Sequence, residues 1–168
     1  MEVYDDFLPE YQFKNFDTQV LSNNLFPWYY NNGVINANDG KGYQFTHVVF
    51  DQHIGPTPIS ALFPFIEPVL EKLKVRNLVR IKLNLNPRTF FHRGGGWHVD
   101  YGLNDPFPHT KTAVFYLNTN NGWTEFKKGG KVKSKSNRIV IFDSSLEHQG
   151  VTCTNENRRV IVNFNYDI

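Results

Sequence analysis

From Leu78 to Tyr166 the chain is a succession of short strand signals separated by turns, and this pattern restricts its fold more than any other feature. Leu78 to Asn86 alternates, with Val79, Ile81, Leu83 and Leu85 on one face and Arg80, Lys82, Asn84 and Asn86 on the other. A period of two marks a strand with two unlike faces. Pro87 ends it. Thr112 to Leu117, Trp123 to Phe126, Arg138 to Phe142 and Arg158 to Tyr166 read as further strands. Asn118 to Gly122 is a turn, and Lys127 to Lys135, with Gly129-Gly130, is a hairpin or loop. Short strands at such spacing, following helices, point to an antiparallel sandwich or barrel with a helical cap.

The first 76 residues read as a helical and irregular cap, and residues 77–168 as the strand-built core of one domain. Pro9 to Asn23 carries Tyr11, Phe13, Phe16, Val20 and Leu21 at roughly helical spacing. Ile59 to Lys74 puts Leu62, Phe65, Ile66, Val69, Leu70 and Leu73 on one stripe, with Pro64 and Pro68 making its first half irregular. Phe26 to Tyr30 and Phe45 to Phe50 are short strand candidates, and Asn31-Asn32-Gly33 and Asn38-Asp39-Gly40 are turns. Their aromatic side chains either pack the core or line a rim. A chain of 168 residues is long enough for a real core. Its net charge of +2 names no partner. The single Cys153 fits a reducing compartment, and neither a signal peptide nor an apolar run long enough to span a membrane is present. These features describe a soluble, cytoplasmic protein.

Chemistry enters at Trp97-His98-Val99-Asp100-Tyr101, directly after Gly94-Gly95-Gly96. On an extended chain His98 and Asp100 project from the same face and can offer a nitrogen and a carboxylate oxygen to one metal ion. His47, His53, His92 and His109 lie among aromatics or in turns and loops, where packed or exposed histidines are usual. His148 stands apart: it follows a strand and the turn Asp143-Ser144-Ser145 and precedes Gly150. Two histidines and a carboxylate on one side of a metal leave the other side open, the arrangement of non-haem Fe(II) oxygenases. Beyond His148, Arg158 and Arg159 open a largely apolar strand, where a guanidinium is costly unless it meets an anion.

Thr112 through Tyr116-Leu117-Asn118, then Gly122-Trp123-Thr124-Glu125-Phe126, then Arg138 to Phe142, and finally His148, Thr154 and Arg158 resemble successive motifs of the 2-oxoglutarate/Fe(II)-dependent dioxygenase superfamily, closest to its prolyl 4-hydroxylase-like branch. The resemblance runs from about Leu78 to Tyr166. It implies an α+β, mainly β fold: a double-stranded β-helix, or jelly roll, with helices packed behind the larger sheet. It implies His98, Asp100 and His148 as iron ligands, Arg158 on the distal carboxylate of 2-oxoglutarate, and Thr112 as a hydroxyl near that cosubstrate. Spacing from His148 favours Arg158, which shares a face with Val160, Val162 and Phe164. Arg159 shares the other face with Ile161, Asn163 and Asn165 and stays open as the alternative. Where the branch has a tyrosine on the strand before H-x-D, this chain offers Asn84 or Asn86, and Trp123 replaces a glycine. The short stretch from Asp100 to Thr112 implies a small lid.

The implied reaction consumes 2-oxoglutarate and O₂ with Fe(II), releases succinate and CO₂, and hydroxylates a C–H bond. Kinship makes a prolyl or other side chain of a peptide or protein the first substrate. Nucleic acid ranks lower, because Val160 stands where nucleic-acid demethylases have an asparagine, and a small metabolite is a further possibility. Lys127, Lys128, Lys131, Lys133 and Lys135 read as a solvated hairpin in preference to a phosphate-binding one. Gly94 to Gly96 is either a hinge over the metal or a plain connector. From another class comes a non-catalytic jelly-roll binding or structural module. The size and the Asn-rich aromatic first third resemble small oxygenases of bacterial viruses, which implies action in a host cytoplasm. No oligomeric state follows from the sequence.

Overall fold

Alternation decides the layers. In the computed structural model, which describes residues 1–35, 40, 42–102, 106–107 and 109–168, the strands that carry Phe115, Ile139 and Val162 send one row of side chains to helices and the other to a second sheet. The turn Asn38-Asp39-Gly40 and the lid stretch before Thr112 lie partly outside the described residues. The elements run β1 (Glu2–Tyr4), α1 (Glu10–Val20), β2 (Tyr29–Asn31), β3 (Gln44–Asp51), α2 (Phe63–Leu73), β4 (Asn77–Pro87), β5 (Lys111–Tyr116), β6 (Trp123–Phe126), β7 (Gly130–Lys133), β8 (Arg138–Asp143), β9 (His148–Val151) and β10 (Arg158–Asp167). A seven-stranded sheet has the order β1-β8-β5-β10-β4-β3-β2, and a three-stranded sheet the order β7-β6-β9. Every pairing between these strands is antiparallel. The result is the mainly β jelly roll with helices behind its larger sheet.

Two cores follow. Ile81, Leu83 and Leu85 of β4, Ala113 and Phe115 of β5, Ile139 of β8, and Val160, Val162 and Phe164 of β10 meet Phe16 and Val20 of α1 and Ile66, Val69 and Leu73 of α2. The opposite row, Val114, Tyr116, Val140, Phe142 and Ile161, meets Phe126 and Val132 of the small sheet. β1, β2 and β3 join the seven-stranded sheet, so the first 76 residues build part of the core sheet as well as its helical cover. α2 begins four residues later than the apolar stripe suggests. Pro64 sits in its first turn, where no intrahelical N–H is needed, while Pro68 lies inside the helix.

Phe115 is the centre of the larger core. It has no exposed surface, and its ring meets those of Phe7, Phe13 and Phe16 at centroid distances of 6.2, 5.9 and 6.2 Å. Phe115→Ala is expected to cost about 3–5 kcal/mol. That corresponds to a fall of roughly 6–20 °C in the midpoint of a thermal melt. A fall of under about 2 °C would show that the core repacks around the loss.

Candidate active site

The segment carrying His98 and Asp100 is extended but belongs to no regular strand. It lies along β9 through two isolated bridges, Gly94 opposite Val151 and His98 opposite His148. The His98 N–H donates to the His148 carbonyl at 3.0 Å, the His148 N–H to the His98 carbonyl at 2.9 Å, and the Gly95 N–H to the Gly150 carbonyl at 2.9 Å. Residues directly opposite in an antiparallel pair face the same side, which brings the two imidazoles to a centroid distance of 4.5 Å. The glycines permit this docking. A Cβ on Gly94 would lie 2.3 Å from Gln149 Oε1, and one on Gly95 2.6 Å from Val34 Cγ1. The run is packed against Gln149 and Val34 in this state, and Gly96 takes a positive φ of 104° that favours glycine.

His98, Asp100 and His148 each offer a ligand atom, and these atoms all lie within 4.8 Å of one another. Their surroundings prepare them for a cation. His98 Nδ1 is 3.0 Å from the Gly96 carbonyl and His148 Nδ1 2.9 Å from the Leu146 carbonyl. A carbonyl only accepts, so each Nδ1 carries the proton and each Nε2 keeps its lone pair for a metal. Burial pushes the His148 imidazole below its ordinary value, which favours the neutral, ligating form. The Asp100 side chain is only 4 % exposed. Burial works to raise its carboxyl, but the charges of His148 and Arg80 and hydrogen bonds from Asn165 and Thr112 outweigh it and hold the group at about 2. Oδ2 accepts from Thr112 Oγ1 at 2.8 Å, Asn165 Nδ2 at 2.9 Å and Asn163 Nδ2 at 3.3 Å. Oδ1 is left facing His98 Nε2 at 3.8 Å. Two imidazoles with free Nε2 atoms and one oriented carboxylate are a donor set that fits Fe(II).

Thr112 is placed differently from its expected role. Its hydroxyl is fully buried behind Asp100, bonded also to Ser144 Oγ at 2.9 Å, and it does not line the cavity. Its hydroxyl is spent on Asp100 and Ser144. Thr112→Val is expected to weaken metal affinity about 10-fold, read by titration with Fe(II) or Mn(II). Unchanged affinity would mean that Asn163 and Asn165 suffice to fix the carboxylate.

Beside the triad lies a cavity of about 340 Å³, bounded among others by Arg80, Lys82, Asn84, Asn86, His98, Asp100, His148 and Arg159. Here the two arginines part company. Arg158 projects to the helical side, where its Nη2 donates to the Leu21 carbonyl at 2.7 Å, and it does not line the cavity. Arg159 is 1 % exposed and lines it. Its Nε donates to Ser134 Oγ at 3.0 Å, its Nη2 to Thr124 Oγ1 at 3.1 Å, and its guanidinium lies 5.5 Å from the Tyr116 ring centre. No described carboxylate pairs with it. The physical reason is parity: Arg158 shares the face of Val160, Val162 and Phe164, which packs on helices. The backbone makes room for the Arg159 stem at Gly122, where a Cβ would lie 2.9 Å from Arg159 Cδ. Asn86 is the cross-strand partner of Arg159, whereas Asn84 lies opposite Ile161 with its buried Oδ1 unbonded among the described residues.

Asn163, Asn165 and Ser144 were not singled out by sequence, although asparagines on the Arg159 face of an apolar strand were the available signal. The remaining histidines stay out of the triad. His47 bridges the Pro27 carbonyl and Ser60 Oγ, and the His92 ring packs on Trp123. His53 packs on Phe107. Of the hairpin lysines, Lys127 pairs with Glu147, Lys135 with Asp5, and Lys131 lies over Trp123. Tyr43 borders the cavity, while Phe26, Trp28 and Phe45 pack against the core, so the aromatic first third serves both purposes. No helix among the described residues is long and apolar enough to cross a membrane.

Comparison with known proteins bears on this geometry. A sequence profile described as the 2OG-Fe(II) oxygenase superfamily matches residues 88–167. No curated protein matches. Among solved structures, a Pseudomonas putida prolyl-4-hydroxylase is similar with a TM-score of 0.64 at 14 % identity, over 99 % of this chain and 92 % of that one. A Trichoplax adhaerens prolyl hydroxylase in complex with a hypoxia-inducible-factor peptide fragment gives 0.69 at 14 %, over 99 % and 83 %. A viral collagen prolyl hydroxylase from Paramecium bursaria Chlorella virus-1, in complex with 2-oxoglutarate, gives 0.62 at 14 %, over 99 % and 95 %. At these identities the likeness is one of fold. The profile covers the segment that holds the triad and Arg159, and the donor set there fits Fe(II), 2-oxoglutarate and O₂. Residues 88–167 match the 2OG-Fe(II) oxygenase superfamily, and the chain as a whole shares its fold with the hydroxylases above.

Proposed function

We propose that this protein hydroxylates a C–H bond of a peptide or protein side chain, a prolyl residue first among them, within the cavity beside His98, Asp100 and His148. The observation that carries the reading is the meeting of that triad with Arg159 in one cavity. A buried guanidinium with no carboxylate beside it is costly, and a dicarboxylate in the cavity would offset that cost. Arg159, not Arg158, would then fork the distal carboxylate of 2-oxoglutarate, with Asn86 next to it. Bound there, iron and 2-oxoglutarate would supply the oxidation: one oxygen atom of O₂ enters the substrate as a hydroxyl and the other enters succinate as CO₂ leaves.

The chain itself supplies position. Thr112, Asn163 and Asn165 hold Oδ2 of Asp100, and the backbone bridge holds the two imidazoles at a fixed separation. Apolar Val114 and Ile161 wall the cavity and limit water near the reacting atoms. A peptide substrate is supported by the prolyl hydroxylases that share this fold and by exposed Phe90 and Phe91, which lie in sequence between the cavity-lining Thr89 and Arg93. The test is succinate release from 2-oxoglutarate with Fe(II) and O₂ on a peptide panel, with mass spectrometry for one added oxygen. Succinate coupled to an oxidised peptide is the expected result. No turnover on any arm, together with no Fe(II) binding, would overturn the reading in favour of a non-catalytic module.

A further inference from the structure

The charges of the loaded site close on themselves. Those of iron and Arg159 are matched by the two carboxylates of 2-oxoglutarate and that of Asp100. Yet Arg80, Lys82, Arg88 and Arg93 line the same cavity, and Asp100 is the one carboxylate among its described lining residues. Arg80 is already engaged, with Nε donating to Asn165 Oδ1 at 3.2 Å and Nη2 lying 3.9 Å from Asp100 Oδ1. Lys82 is not. It is half-buried on the cavity face of β4, and its ammonium makes no hydrogen bond or ion pair among the described residues. Burial, then the neighbouring Arg80, pull it down to about 8 against the opposing charges of Asp100 on the metal segment and Asp51 on β3.

Its location separates it from the arginine that faces the cosubstrate. Lys82 lies opposite Asn163 on β10, and Arg159 lies opposite Asn86. The two rows are four residues apart along both strands, roughly 13 Å at strand rise. A five-carbon diacid with bonds of about 1.5 Å spans roughly half of that. Arg88 and Arg93 continue the positive charge outward to the exposed rim.

We propose that Lys82 is a subsite for a carboxylate of the primary substrate, with Arg88 and Arg93 attracting acidic groups at the rim. The oxidised unit would be an aspartyl or glutamyl side chain, a residue beside one, or a free acid with the same carboxylate. A nucleic acid fits less well. Its charge lies on the backbone, and a flipped base would present a neutral edge to the cavity that Lys82 lines. The inference rests on the hydroxylase reading of this cavity.

Two readouts test it. The first is anaerobic calorimetry of protein loaded with Mn(II) and 2-oxoglutarate, titrated with a peptide containing Asp and Glu, its Asn and Gln counterpart, free acidic amino acids, and a short single-stranded oligonucleotide. The second is succinate release with Fe(II) and O₂ on the same four arms. We expect the acidic arms to bind at least tenfold more tightly than the amide peptide, with the two acidic arms telling peptide from free acid. Lys82→Met should erase that preference and Lys82→Arg restore most of it, with 2-oxoglutarate affinity changed by less than about threefold. Equal binding of acidic and amide peptides overturns the proposal, as does a preference for the oligonucleotide. A main effect of Lys82→Met on 2-oxoglutarate affinity also overturns it. Acid-selective binding without succinate release supports the subsite and overturns the hydroxylase reading alone.

Discussion

Replacing Arg159 by methionine is expected to weaken 2-oxoglutarate binding by at least about 30-fold, whereas the same change at Arg158 should alter it less than about threefold. The two residues are adjacent, so composition and net charge are identical in the two variants, and only the face of β10 differs. Arg159 is a buried cation held in place by Ser134 and Thr124 with no described carboxylate paired to it. Truncating one member of a buried, hydrogen-bonded charge pair costs about 2–5 kcal/mol. At about 1.4 kcal/mol per decade, the lower end is already roughly 30-fold. Arg158 contributes a hydrogen bond to the Leu21 carbonyl, worth about 1 kcal/mol of stability and nothing to the cavity. Titration of 2-oxoglutarate into the metal-loaded protein without oxygen measures both. A larger effect at Arg158 would mean that the distal carboxylate binds on the helical side of the sheet.

His98→Ala and Asp100→Ala should both abolish succinate release, with Fe(II) affinity falling by more than the ~10–100-fold typical of losing an outer partner. They should differ in stability. The His98 side chain is 25 % exposed, and its one side-chain hydrogen bond among the described residues goes to the Gly96 carbonyl, so its loss leaves little unsatisfied. Asp100 is the acceptor for Thr112, Asn163 and Asn165 and the counter-charge of Arg80. Its removal takes the one acceptor that buried Asn163 Nδ2 has among the described residues, a shared acceptor from Thr112 and Asn165, and the counter-charge from Arg80, and a buried donor left unsatisfied costs about 1–3 kcal/mol. Thermal melts of the metal-free variants should therefore show Asp100→Ala well below wild type and His98→Ala within a few degrees of it. Equal melting points would show that water takes over the role of the carboxylate.

Much of this was legible in the residues because it depends on alternation. The two faces of β4 were read correctly from Leu78 to Asn86, and β6 was placed at Trp123 to Phe126 as observed. His148 was distinguishable from the other histidines by its position after a strand and turn. Spacing from His148 points to Arg158, whereas the face chemistry of β10 points to Arg159, the one of the two that lines the cavity. Asn163 and Asn165 share the Arg159 face, and buried amides persist in a strand where they have partners to satisfy. Across the sheet, Arg80, Lys82, Asn84 and Asn86 present an equally polar face, and β4 pairs with β10. Polar face against polar face marks the inside of the site. The short β1 and β9 escaped notice for another reason: three or four residues are too few for periodicity to register, and long-range pairing creates them.

The backbone bridge between His98 and His148 has a consequence for the order of assembly. One imidazole belongs to the segment that runs from Arg88 to Asp100, the other to β9, and an ion gripping both acts as a clasp between them. Local opening of that segment and release of the ion become a single equilibrium, and metal affinity is discounted by whatever fraction of molecules stands open. The same segment carries Arg88 and Arg93, which line the cavity. An ion held by both residues would therefore stabilise the docked form of the wall that carries Arg88 and Arg93, coupling metal loading to the shape of the cavity.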